Sequence, residues 1–180
     1  MRSGTSTLGP ATATLRILTK REGLAAKAGH DLVIEVTRWQ GTLTPDTVEL
    51  TADARSLRVR SGSGGISPLG DEEKAGISQT IDEEVLKRRA IEFRSTRVQR
   101  SGSRLDVSGE LELAGFKRPI DFALKLDDDG RLTGSAFVTQ TDWKMKPFSA
   151  LFGTLKVADV VEVSIDARVG AAVALEAGRG

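Results

Sequence analysis

The chain has 180 residues, 39% hydrophobic and 28% charged, which suits one globular domain able to bury roughly 70% of its unfolded surface. Lysine plus arginine number 26 against 25 aspartate plus glutamate, so no net field draws the protein to nucleic-acid backbones or anionic lipid. The absence of cysteine excludes disulfides and thiolate chemistry.

The opening "MRSGTSTLGPATATL" lacks the apolar core of a secretory signal, and no window approaches the roughly 20 apolar residues that cross a bilayer. A cytoplasmic protein without a membrane-spanning segment is therefore expected. Residues 1–11 carry little pattern and predict a flexible tail, followed by one domain over 12–169 and a second flexible tail over 170–180.

From Ala13 onward the dominant period is two, the mark of strands with one face buried and the other wet. Ala13, Leu15 and Ile17 begin it; Leu32, Ile34 and Val36 continue it, opposed by Asp31, Glu35 and Thr37. Val48, Leu50, Ala52 and Ala54 follow, then Leu57 and Val59, then Ile91 and Phe93. Leu105, Val107, Leu111 and Leu113 predict a strand that pairs with Ile120, Phe122, Leu124 and Leu126 across the "AGFKRP" turn, with Pro119 at the strand start. "DDDG" at 127–130 turns the chain into Leu132, Gly134, Ala136 and Val138. Val161, Val163, Ile165, Ala167 and Val169 form the final strand.

One segment breaks the period. In "SQTIDEEVLKRRA", residues 78–90, the spacing of Ile77, Ile81 and Val85 predicts a short amphipathic helix, with Thr80 and Glu83 as a capping box. Glu83 with Lys87 and Glu84 with Arg88 stand one turn apart, so "KRR" reads as a solvated, internally paired face and not a nucleic-acid patch. The preceding residues 60–76 read as a long Gly-rich loop, a candidate lid. Their "GSGG" lacks the Gly-Lys-Ser/Thr of a phosphate cradle.

The inventory for catalysis is thin: no cysteine, no tyrosine and one histidine, His30. No metal site is expected, since "DDDG" lacks the downstream ligands of a calcium loop. His30 and Asp31 resemble a dyad, yet neighbours on a strand point to opposite faces, so a strand-start histidine bonded to backbone is the favoured reading. About eight strands with one apolar face close into an antiparallel barrel that holds side chains or one small ligand. Ala52, Ala54, Gly109, Gly134, Ala136 and Ala167 are small at inward positions, which either leaves room for a ligand or eases close packing. An apolar, Pro-interrupted segment at 140–153 either lines the mouth of such a lumen or forms a docking surface.

Four stretches carry a resemblance: "KAGHDLVIEV" at 27–36, "IEFRSTRV" at 91–98, "VSGELELAGFKRPIDFAL" at 107–124 and "QTDWKMKPFSALFG" at 140–153. In order and spacing, over 15–169, the chain resembles the YceI-like family of lipocalin-like proteins. The resemblance implies an all-β, eight-stranded antiparallel barrel holding a polyisoprenoid or isoprenoid-quinone-like chain, commonly as a homodimer, without catalysis and with no cofactor beyond the lipid. The family's Asp-Phe-Gly-Ile appears here as Asp142-Trp143-Lys144-Met145, and the secretory signal of typical members is not seen. Together with strand parity it gives the candidate ligand-binding residues His30, Ile34, Val36, Leu50, Ala52, Phe93, Leu111, Phe122, Ala136, Val138, Trp143, Phe148, Phe152 and Val163, with Lys144 or Lys146 offered to a polar head group. The competing expectation is an interaction module with a packed barrel that docks through its aromatic 143–152 segment.

Overall fold

The two-residue period is realised as strands along nearly the whole chain. The computed structural model describes residues 4–23, 25–65, 67–150 and 155–170. From the N-terminus run β1 (Ser6–Leu8), β2 (Ala13–Leu18), β3 (Arg21–Glu22), β4 (Asp31–Val36), β5 (Trp39–Leu43), β6 (Val48–Ala52) and β7 (Leu57–Ser63). After helix α1 (Asp71–Thr80) come β8 (Ile91–Ser101), β9 (Arg104–Leu113), β10 (Phe116–Leu126), β11 (Arg131–Thr139), β12 (Ser149–Ala150), β13 (Leu155–Val157) and β14 (Val160–Arg168).

The main sheet is antiparallel and has eleven strands, in the order β1-β5-β6-β8-β9-β10-β11-β14-β2-β4-β7, and it curls around its apolar face; β12-β13-β3 form a second, small sheet. This corrects the expected eight strands, and the ladder ends at β1 and β7 instead of closing. The excess has a physical origin. The chain is interrupted between β1 and β2, bends between β4 and β5 and bends again between β6 and β7, so three long runs each count twice. Backbone bonds from Thr37 N to Ser56 O, 2.9 Å, and from Asp53 N to Arg38 O, 3.0 Å, bridge the two bends.

The register places two ends. At one, Leu126 pairs with Leu132 and Leu43 with Val48, and Leu43, Leu126 and Leu132 are fully buried. Arg131 meets Asp166 at 2.8 Å and Arg168 meets Asp129 at 3.0 Å across this end. The hydrogen bond from Arg131 holds the Asp166 carboxyl below its ordinary value. Asp129 is lowered by the backbone N–H of Arg131 and then by the Arg168 side chain. At the other end stand the Thr139–Val160 and Asp31–Ser63 pairs and the small sheet.

β10 and β11 pair only over Ala123–Leu126 with Leu132–Ser135, whereas β11 follows β14 along its full length, so beyond Ala136 the two strands part. Pro119 lies inside β10 opposite Glu110, not at the strand start. Alternation from the two-residue turn at Ala114–Gly115 makes that pair non-hydrogen-bonded, which points the missing N–H towards the side where β10 has no partner.

Further expectations change. Ser6–Leu8, placed in a tail, pair with β5, and Leu8 is buried; most of the expected C-terminal tail lies outside the described residues. The helix begins at Asp71, inside the presumed loop, and β7 extends to Ser63, which leaves only 64–70 as the connection. Glu73 accepts from Gly70 N at 2.9 Å at its start, while Thr80 donates backwards to Gly76 O and is no cap. Past α1 the backbone widens over Ile81–Val85, with Leu86 N bonded to Ile81 O at 2.8 Å; Glu83 reaches Arg88, not Lys87, at 2.8 Å.

Candidate functional site

Side chains that alternate inward from β2, β4, β6, β8, β9, β10, β11 and β14 enclose a cavity of about 450 Å³ on the concave face of the main sheet, within the ~300–1,000 Å³ usual for small-molecule sites. Its walls are almost wholly hydrocarbon. Phe93 and Phe122 meet there with ring centroids 5.2 Å apart and planes tilted by 58°. Ile77, Ile81, Val85 and Leu86 close one side, and Ser78 fastens α1 to β7 by accepting from Val59 N at 3.1 Å.

The structure brings His30, Ile34, Val36, Leu50, Ala52, Phe93, Leu111, Phe122, Ala136, Val138, Phe148 and Val163 together on this lining. Ala136 faces in while Phe137 is 65% exposed, so the parity read from the sequence holds. Phe152 lies outside the described residues. Trp143 is off the lining: it is 3% exposed, and its Nε1 donates to Leu111 O at 2.7 Å. The interior is therefore not packed solid, and Trp143 does not narrow it.

Two of the small inward residues do not serve as room. A Cβ on Gly134 would lie 2.7 Å from Ala123 O, and one on Gly109 would lie 2.5 Å from Arg94 O. Both allow close strand approach, the packing alternative; Gly134 also borders the cavity, which Ala52 and Ala136 front as well.

The basic side chains of the lining stand at the end away from the buried leucines. Arg21 of β3, His30 and Lys156 of β13 all line the cavity there, beside Phe148, which is 46% exposed. Arg21 Nη1 donates to Gly29 O at 3.0 Å and Ser63 O at 3.1 Å. Lys144 and Lys146, the cations expected at the mouth, are not on the lining; Lys144 stands 5.0 Å over the Phe116 ring instead. Lys144 also has φ 57°, the left-handed conformation that favours glycine.

His30 precedes β4 and binds Ser67 O through Nε2 at 2.7 Å, while Asp31 accepts from Arg21 N at 2.8 Å and approaches Lys20 at 3.7 Å. The two neighbours thus serve different partners, and the backbone-bonded histidine is the one observed. Among the described residues no three His, Cys, Asp or Glu side chains form a metal-holding group, and no helix is long and apolar enough to cross a membrane. What the arrangement can do is exclude water from a hydrocarbon ligand and meet a polar head at one rim.

Sequence reasoning missed Arg21, Lys156 and the helix residues on the lining. For the helix the signal was the Ile77–Ile81–Val85 spacing, which does mark its inward face; for Arg21 and Lys156 strands of two and three residues leave no period to read.

The sequence matches the YceI-like domain family over residues 13–169. Among solved structures it is similar to Burkholderia cenocepacia BcnA, with TM-score 0.63 and 14% identity, covering 86% of this chain and 94% of that one. It is also similar to a Campylobacter jejuni YceI protein, with TM-score 0.48 and 12% identity over 67% of this chain and 69% of that one. No curated protein matches. The likeness to BcnA shows the fold, a curled antiparallel sheet of lipocalin-like kind. With the family match running from β2 through β14, the chain belongs to the YceI-like family.

Proposed function

We propose that the protein is a non-enzymatic carrier that holds a long apolar chain, polyisoprenoid or isoprenoid-quinone-like, inside its curled sheet. The observation that carries this reading is a hydrocarbon-walled cavity of about 450 Å³ with Arg21, His30 and Lys156 at one end. Each methylene moved from water into such walls contributes about 0.8 kcal/mol, so chain length drives binding and no specific contact is needed along it.

In this reading the sheet works as an eight-stranded barrel. β1 with β2, β4 with β5, and β6 with β7 act as three bent strands, paired β2 to β4 and β4 to β7 on one side of the bends, and β1 to β5 and β5 to β6 on the other. The carrier is further proposed to act in the cytoplasm, in keeping with a chain free of cysteine, and as a homodimer. Phe137 and Val160, 65% and 46% exposed on adjoining strands, supply an apolar outer face for that contact. Light scattering on the purified protein reads the dimer, and fractionation of its native cell reads the compartment.

Mass spectrometry of organic extracts from native preparations tests the carrier reading. An isoprenoid lipid in stoichiometric amount is expected, and added isoprenoid quinone should raise the melting temperature. Preparations free of lipid that also ignore added isoprenoids would refute it.

A further inference from the structure

We infer that the Arg21 end of the cavity is an anion site, so that the occupant is an amphiphile with a phosphate or carboxylate at the head of its apolar chain. This rests on the carrier reading and narrows it to one ligand class.

Arg21 is held in place by backbone. Its own N–H donates to Asp31 at 2.8 Å, and both protons of Nη1 go to the carbonyls of Gly29 and Ser63. A guanidinium carries five N–H donors, and those on Nη2 and Nε have no partner among the described residues. None of the ion pairs among the described residues includes Arg21. Its charge thus stands half-buried on the rim of a hydrocarbon cavity, bonded through Nη1 to two carbonyls and in no ion pair among the described residues.

A second cation, Lys156, lines the same rim and pairs with Glu22 at 3.3 Å. Glu49 is the one carboxylate residue on the lining among the described residues; it is far from this end and paired outward with Arg94 at 3.5 Å. An alcohol or quinone head would satisfy hydrogen bonds but leave the arginine charge uncompensated. A phosphate or carboxylate takes the free edge of the guanidinium through two parallel N–H···O bonds and neutralises it.

The test is a titration of the full chain with geranylgeranyl monophosphate and with geranylgeraniol, which differ only in the head, followed by intrinsic fluorescence of Trp39 on the lining. The phosphate is expected to bind about tenfold tighter or better, the worth of one hydrogen bond to a charged group. In Arg21→Gln that preference should fall to about twofold, and added salt should weaken only the phosphate arm. Lys156→Gln, at an exposed position, should lose part of the preference and serves if Arg21→Gln does not fold. Equal binding of both probes by the native chain overturns the anion site and leaves the carrier standing. Failure of both to bind ends the carrier reading and this inference with it. Inorganic phosphate that binds as tightly as the prenyl phosphate would overturn the amphiphile and leave a plain phosphate site.

Discussion

Trp143 Nε1 donates to the carbonyl oxygen of Leu111 at 2.7 Å, tying the turn after β11 to β9 across the place where β10 and β11 part. Arg118 on β10 adds a bond to Asp142 O at 3.0 Å. The 140–143 turn thus fills the seam that the ladder leaves open. Replacing Trp143 with Phe keeps most of the packing and removes the donor, so it should cost about 1–2 kcal/mol, read by urea denaturation. A change near zero would mean that packing alone seals the seam.

Lys144 follows directly, in the left-handed conformation that costs a side chain about 1–2 kcal/mol and with its ammonium over Phe116. Lys144→Gly should raise stability by up to about 1 kcal/mol, because the strain relieved exceeds an exposed cation–π contact. Lys144→Ala keeps the strain and loses the contact, so it should be less stable than the native protein. Opposite signs for the two variants are the expected result in thermal melts.

Ala136 faces the cavity beside the seam, opposite Val163 on β14. Ala136→Phe should shorten the longest isoprenoid that the protein retains while sparing short ones, with about 1–3 kcal/mol lost to overpacking. Ligand-length profiles of the folded variant decide it, and an unchanged profile would contradict a threaded chain. Phe137→Ala, outside the cavity, should leave the profile as it was.

Acid should loosen the end of the sheet held by Asp129 and Asp166. Both carboxyls titrate in the folded protein below their ordinary value of 3.8. The stability they contribute is therefore present in full above about pH 4 and is lost as pH falls through the lowered folded values. Melting temperature should drop below pH 4, and Asp166→Asn should flatten that drop slightly, since exposed pairs contribute little.

Much of the sheet was legible because its faces differ: Ile34, Phe122 and Ala136 could be assigned inward from alternation alone. Trp39, Gly41 and Leu43 also alternate, but over too few residues to stand out, so β5 was missed. The helix start escaped because Gly70 offers no side chain as a cap, and the acidic first turn Asp71–Glu73 resembles a loop. The rim cations were illegible for a different reason. Arg21 and Lys156 are 156 − 21 = 135 positions apart, and only the pairing of β3 with β13 makes them neighbours. Lys144, which looked well placed in sequence, is turned away by its left-handed backbone.

The ladder between β2 and β14 sets Leu18 against Glu162, a separation of 162 − 18 = 144 residues. Closing so long a loop draws heavily on chain entropy before the contact returns any stability. Local pairs such as β9–β10, β5–β6 and β2–β4 can form early, while β2 and β14 can meet only after β14 exists. On a ribosome the β2–β14 seam stays open until β14 has been made, with the hydrocarbon face uncovered. Folding should accordingly be slow, on the order of milliseconds to seconds, and a lipid present during synthesis would meet the cavity walls before the last strand shuts them in.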